Sequence, residues 1–131
     1  MSNYDIARAY FAAVTAGELP DSLLTDDMTA WLTTAGSISK ADYQHAVRLL
    51  ARMCAEPIQF TIDAITAEDD RVLAEAHSTA TLINGEPYAM TYVFSFRIRD
   101  GRIAWIGEHY NAFVAQEKLF PLMAELTQGE S

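Results

Sequence analysis

The chain has 131 residues, half of them apolar, and sets 9 Lys and Arg against 18 Asp and Glu for a formal net charge of -9. That length suits one domain, residues 1–131, with a single core that needs neither disulfides nor metals, and an acidic balance with no basic cluster argues against nucleic acid as a partner. No apolar run approaches the roughly 18 residues of a membrane span, no basic segment leads into an apolar one at the N-terminus, and the lone Cys54 has no internal partner, so a cytoplasmic protein is expected.

Residues 3 to 16 place Ile6, Tyr10, Ala13 and Val14 at helical spacing, with Ser2 as cap and Gly17 as stop. Pro20 suits the first turn of a short helix reaching about Leu24. Met28 to Thr34 alternates and is rich in Thr and large apolar residues, which predicts a strand closed by Gly36, with the face of Trp31 left open by the pattern. Ser39 and Asp42 read as a capping box, and Tyr43, Ala46, Val47, Leu50, Met53 and Cys54 mark the apolar stripe of a main core helix that ends before Pro57. Ile58 to Thr66 alternates as a further strand, and Glu68-Asp69-Asp70 turns into a meander. A last amphipathic piece, Ala112 to Leu119, meets Pro121.

The meander, Arg71 to Asn111, carries the chemistry. Asn84-Gly85 favours a two-residue type I′ turn that sets Ile83 opposite Glu86, and Arg99-Asp100-Gly101 favours a three-residue loop with a G1 bulge that sets Ile98 opposite Arg102. Because opposed residues share a face, these registers predict a row of His77, Tyr92 and Glu108, flanked by Glu75, Phe94 and Ile106 on one side and by Thr79, Met90 and Tyr110 on the other. Large aromatic groups mixed with acids and a histidine are how a ligand pocket is lined. The opposite face, with Ala76, Ser78, Val93, Ser95 and Trp105, is small and flat and predicts a homodimer through sheet packing.

Helices first and a meander afterwards describe an α+β domain with helices on one face of a curved, mostly antiparallel sheet. The element order, with "AYFAAVTAGEL", "LLTDDMTAW", "NGEPYAMTYVFSFRIRDGRI" and the closing "EHYN", resembles the SnoaL-like branch of the nuclear transport factor 2 superfamily over nearly the whole chain. The resemblance implies a cone-shaped domain whose concave sheet face and helices enclose a pocket, often paired through its convex face. The superfamily contains ketosteroid isomerases, polyketide cyclases, dehydratases, epoxide hydrolases and non-enzymatic binders, so residues carry over singly. Tyr10 matches the oxyanion-donating tyrosine of ketosteroid isomerases, whereas their two aspartates fall at Leu32 or Thr33 and at Phe94, which argues against their mechanism here. Many relatives close the last strand with an acid where this chain has Asn111. His77 and an asparagine near the end of the last strand make a dehydratase of the scytalone type the closest analogy.

A carboxylate facing an apolar cavity, as Glu108 would, is costly to bury unless it is paired or protonated, so function explains it better than packing does. His77 reads equally as a core imidazole bonded to Tyr92. A metal held by Glu75, His77 and Glu108 lacks any short ligand motif, and no cofactor is expected. The reading is a small-molecule pocket protein: a cofactor-independent acid–base enzyme of dehydratase, isomerase or cyclase type acting on a hydrophobic oxygenated metabolite. His77, Glu108, Tyr92 and Tyr10 would be its catalytic groups, and Trp31, Glu75, Thr79, Met90, Phe94, Ile106 and Tyr110 its substrate contacts. The alternative is a non-catalytic binder using the same pocket.

Overall fold

A computed structural model describes residues 1–129. Helix α1, Asn3–Ala16, is followed by a 3-10 turn, Asp21–Leu23, and then by strands β1, Leu24–Leu32, and β2, Gly36–Ser39. Helix α2 is Lys40–Met53, strands β3 to β6 are Gln59–Glu68, Arg71–Thr81, Pro87–Arg99 and Arg102–Tyr110, and the chain closes with helix α3, Ala112–Val114, a π-helical turn, Ala115–Leu119, and helix α4, Phe120–Gly129. The six strands form one open curved sheet in the order β2-β1-β6-β5-β4-β3, antiparallel except where β1 runs parallel to β6. The expected α+β architecture, with helices on the concave face of the sheet, is the one observed.

Local chemistry explains the ends of α1 and α2. At α1 the Ser2 hydroxyl accepts from the Asp5 N–H while the Asp5 carboxylate accepts from the Ser2 N–H, a reciprocal capping box. Gly17 ends the helix at φ 86 and donates to the carbonyls of Ala13 and Val14; a side chain there would also meet the Cβ of Ala51 in α2 at 3.0 Å. The Ser39 hydroxyl caps α2 through the Asp42 N–H at 3.1 Å. At the other end of α2 the Met53 carbonyl accepts from the Ile83 N–H at 2.9 Å, which ties the helix to the β4–β5 turn. The core lies between α1 and the sheet: Tyr10 and Phe11 meet Phe94 edge-on at centroid separations of 5.5 and 5.0 Å, and Phe94 stacks on Phe96 at 5.9 Å.

Three element boundaries differ from expectation. β1 begins at Leu24, ahead of the expected Met28, because Leu24 pairs with Ile103 of β6. Gly36 opens strand β2, which pairs back on β1 as a hairpin, where a stop was expected. The C-terminal helix does not end at Pro121 but runs through it, with Pro121 directly after the π-helical turn Ala115–Leu119, the kind of irregularity that goes with a proline inside a helical run.

Both meander turns exchange their expected types. Leu82 and Glu86 close a three-residue loop, with the Leu82 N–H donating to the Glu86 carbonyl at 2.9 Å and only Gly85 of the pair Asn84-Gly85 at positive φ. Asp100 and Gly101 both have positive φ, and Arg99 pairs directly with Arg102 across a two-residue turn. The first exchange shifts β4 by one residue, so His77 lies opposite Thr91, and Ala76 lies opposite Tyr92. On the second hairpin a bulge follows, since Ile98 pairs with Ile103 but Arg97 pairs with Trp105, leaving Ala104 as the extra residue. That bulge restores the side-chain parity of β6, and Glu108 lies opposite Phe94 on the concave face.

Since α2 carries Tyr43 in its first turn, its cap bears on the pocket as well as on stability. Ser39→Ala should lower stability by about 1 kcal/mol, read as a lower urea midpoint at unchanged slope.

Candidate functional site

The concave face, α2 and the C-terminal segment enclose a cavity of about 390 Å³. Its walls include Val47, Leu50 and Met53 from α2, Met90 and Phe94 from β5, Leu32 and Ile38 from the first hairpin, and Leu119, Phe120 and Met123 from the C-terminal segment. Into this apolar space project three groups of hydroxyls and one carboxylate.

The first group centres on Glu108. Its backbone is fixed by β1, through the parallel pairing with Leu32 and the Thr33 N–H donating to the Glu108 carbonyl at 3.2 Å. Its Oε1 accepts from the Tyr43 hydroxyl at 2.7 Å and, more weakly, from the Tyr10 hydroxyl at 3.4 Å, and the two tyrosine hydroxyls bond to each other. Each hydroxyl has a single proton, so Tyr43 is the direct donor to Oε1 and accepts from Tyr10, which acts on the carboxylate chiefly through it. Glu108 retains partial exposure, and among the described residues no enclosed side-chain oxygen lacks a partner, so Oε2 opens to the cavity. Burial raises the Glu108 carboxyl from 4.5 to about 7 against the opposing effect of the Tyr43 and Tyr10 donors. Burial, reinforced by the neighbouring Glu108 charge, also lifts both tyrosines well above their usual value, so they remain protonated donors.

The second group lies on β4 and β5. The Tyr92 hydroxyl bonds to Ser78 Oγ at 2.7 Å, and Tyr88, pushed up to about 12 by burial, stands beside it on the same face. Tyr92 is two residues along β5 from the Glu108 row, roughly 7 Å at strand spacing. Near the cavity rim, Tyr110 and Thr34 bond hydroxyl to hydroxyl.

Of the residues expected in the pocket, Glu108, Tyr10, Tyr92, Met90, Phe94 and Tyr110 line it. Ile106 shares their face but is fully buried in the core below the cavity. His77, Glu75 and Thr79 are on the convex face instead, because the three-residue loop after Leu82 shifts β4 by one position and turns every side chain over. His77 Nδ1 there meets Asp63 Oδ2 at 2.8 Å, beside the bulge in β3, so neither the expected contact with Tyr92 nor a metal site with Glu108 exists. Among the described residues no group of three His, Cys, Asp or Glu could hold a metal ion. Trp31 also lies on the convex face, its ring tilted against that of His109 at a centroid separation of 4.8 Å. The same shift places Ala76 and Ser78, expected on the convex face, in the buried concave layer. Tyr43, Tyr88 and Ser78 were not anticipated. Tyr43 read as part of an apolar stripe, and the available signal was a hydroxyl on that stripe, which burial obliges to find a partner.

Because the folded-state value of Glu108 lies above its ordinary one, the folded chain holds this proton more tightly than the unfolded chain. Burial is therefore unpenalised below about pH 4.5, and stability is lost as the pH rises through about 7. Glu108→Gln should be more stable than the parent at pH 8 by at most about 3 kcal/mol, less where cavity water solvates Oε2. The difference should vanish near pH 4, as paired denaturant titrations would show.

The family model described as SnoaL-like domain matches residues 7–106. Solved structures agree in fold. PrhC from Penicillium brasilianum superposes with a TM-score of 0.79 at 15% identity, over 90% or more of this chain (94%) and 89% of its own. IdmH from Streptomyces antibioticus, described with reservation as a polyketide cyclase, gives 0.77 at 19% identity over 91% of this chain and 99% of its own. A Bacillus subtilis protein provisionally described as an isomerase gives 0.76 at 20% identity over 90% and 95%. No curated protein matches the sequence. Among the described residues no helix is long and apolar enough to cross a membrane. With the matched segment covering most of the chain, this protein belongs to the SnoaL-like domain family, within the nuclear transport factor 2-like fold.

Proposed function

We propose that the protein is a cofactor-independent acid–base enzyme of cyclase or isomerase type, acting on a hydrophobic, oxygenated small molecule. The observation that carries this reading is Glu108: a buried carboxylate poised at about 7, with one oxygen held by Tyr43 and Tyr10 and the other open to an apolar cavity. A general base is most effective when its pKa lies near the working pH. Ionised Glu108 would take a proton from carbon beside a carbonyl through Oε2. The enolate oxygen would be held by the Tyr92 and Tyr88 hydroxyls. The resulting carboxylic acid would return the proton to carbon in an isomerisation, to the new alkoxide in an aldol cyclisation, or to departing hydroxide in a dehydration. With His77 outside the cavity, one carboxyl group serves both halves of each reaction.

In a turnover screen of enolisable aromatic ketones, Glu108→Gln should lose on the order of 10² to 10⁴ in rate while ligand affinity changes little. For the parent, kcat/KM should fall about tenfold per pH unit below about pH 7 as the base becomes protonated. Tyr43→Phe removes the shorter donor to the ionised form, so the inflection should move to higher pH. A substrate turned over equally by the parent and Glu108→Gln would leave ligand binding without catalysis, or a different site, as the reading.

We also infer a homodimer through the convex face, where Leu73 and Val93 stand 50% and 41% exposed near the paired rings of Trp31 and His109. Sedimentation should give twice the 14.5 kDa chain mass, and Val93→Arg should give the monomer.

A further inference from the structure

The convex face carries charges that the chain itself leaves unanswered. Arg71 of β4 lies directly opposite Arg97 of β5, and Arg97 lies opposite Trp105 of β6. Two residues further along β4 comes a row of Leu73, Ser95 and Gly107, and two beyond that a row of Glu75, Val93 and His109. Like charges directly opposed disfavour a sheet, yet Arg71 and Arg97 stand exposed side by side, and among the described residues neither guanidinium has an ion-pair partner. Glu68 is opposite Arg71 on β3 but forms no ion pair with it. Glu75 is likewise exposed and without a cation, since the nearby His77 is taken by Asp63.

The middle row has no charge. Leu73 stands 50% exposed, Ser95 is small, and the flat ring of Trp105 lies over Gly107, where any side chain would meet it. A basic row, an apolar row and an acidic row, each two residues from the next, make the face complementary to its own copy turned end for end. With a two-fold axis along the Leu73 row, across the strands, each residue of β4 meets the second copy's β4 at the same distance on the other side of Leu73. Leu73 then meets Leu73, and Arg71 meets Glu75 of the second copy, which is within one strand spacing of Arg97 as well. Packed sheets cross at about 30°, and each charged row is roughly 7 Å from the axis. Over that length the facing strands diverge by roughly 3 to 4 Å, less than the spacing between strands, so the pairing survives the twist. An axis along the strands would set arginines against arginines.

We infer that the convex face pairs two copies of this chain with their strands antiparallel, Arg71 of each held by Glu75 of the other. This rests on the dimer proposed above and adds its orientation and the charges that select it. The exposed Arg71–Arg97 pair, unfavourable in one chain, is answered by an acid in two.

Sedimentation equilibrium of the full chain and its charge reversals, over a micromolar concentration series, separates the orientation from the dimer itself. Glu75→Arg, and separately Arg71→Glu, turns both symmetry-related contacts from attraction to repulsion and should raise the dimer dissociation constant by on the order of 10- to 100-fold. Mixed in equal amounts, the two reversed proteins should associate again to within about fivefold of the parent constant, because each offers the charge that the other lacks. Variants that had lost their fold could not rescue each other. A parent that sediments as a single chain overturns the dimer and this inference together. A dimeric parent whose reversals change nothing, or whose mixture stays dissociated, overturns the orientation and leaves the dimer standing. An Arg71→Glu protein that dimerises more tightly than the parent also overturns it, by placing the axis along the strands.

Discussion

The site depends on one interaction, the seating of the Glu108 carboxylate against the hydroxyls of Tyr43 and Tyr10. Three separate parts of the chain supply it: α1 brings Tyr10, α2 brings Tyr43, and β6 brings Glu108. A carboxylate taken from water with no donors would be neutralised or expelled, and one given a full complement of donors would fall back towards an ordinary value. One close hydroxyl donor, Tyr43, backed by Tyr10, leaves it between these limits. The contact therefore holds the helices to the sheet and at the same time sets the acidity of the group that faces the cavity.

Geometry upstream of that contact is governed by strand parity. A side chain on β6 faces the helices only if the count of residues from the Arg99 turn is even with respect to β5. The two-residue turn on its own would have sent Glu108 to the convex side. The extra residue at Ala104 turns it back, so the bulge is as necessary to the site as the acid. On the first hairpin no compensating bulge stands between β4 and β5, whose register runs unbroken from Arg71 to Thr81, and the displacement of His77 is therefore complete.

Much of the fold was legible in the sequence because it rests on long periodic segments: the stripes of α1 and α2, the alternation of β3, and the caps at Ser2 and Ser39. The site was legible where side-chain parity survived, as for Glu108, Tyr92 and Phe94 along β5 and β6. It failed where a single turn decided the face. Asn84-Gly85 invites a type I′ turn by propensity, but Asn84 keeps negative φ and its side chain instead accepts from the Glu86 N–H at 3.0 Å, a local bond that competes with the hairpin turn. Tyr43 was hidden for a different reason. Pattern identifies which face of a helix is buried, but not that a carboxylate some sixty residues later in the chain would come to meet its hydroxyl.

The loss of His77 from the cavity changes what chemistry the proposed reading can contain. A separate acid and base could remove a proton from one face of a substrate and deliver another to the opposite face. One carboxyl group at the end of a rigid strand has access to a single face. If the cavity catalyses at all, the proton taken by Oε2 is added again from the side it left, or on an oxygen that the same ring closure brings there. The tyrosines cannot stand in as a second base, because burial and the Glu108 charge keep Tyr10 and Tyr43 protonated. Substrate orientation then falls to the walls, in particular to the ring of Phe94 directly opposite Glu108 and to the Tyr92 hydroxyl beyond it. Those contacts decide which carbon of a bound ligand comes within reach of the carboxylate.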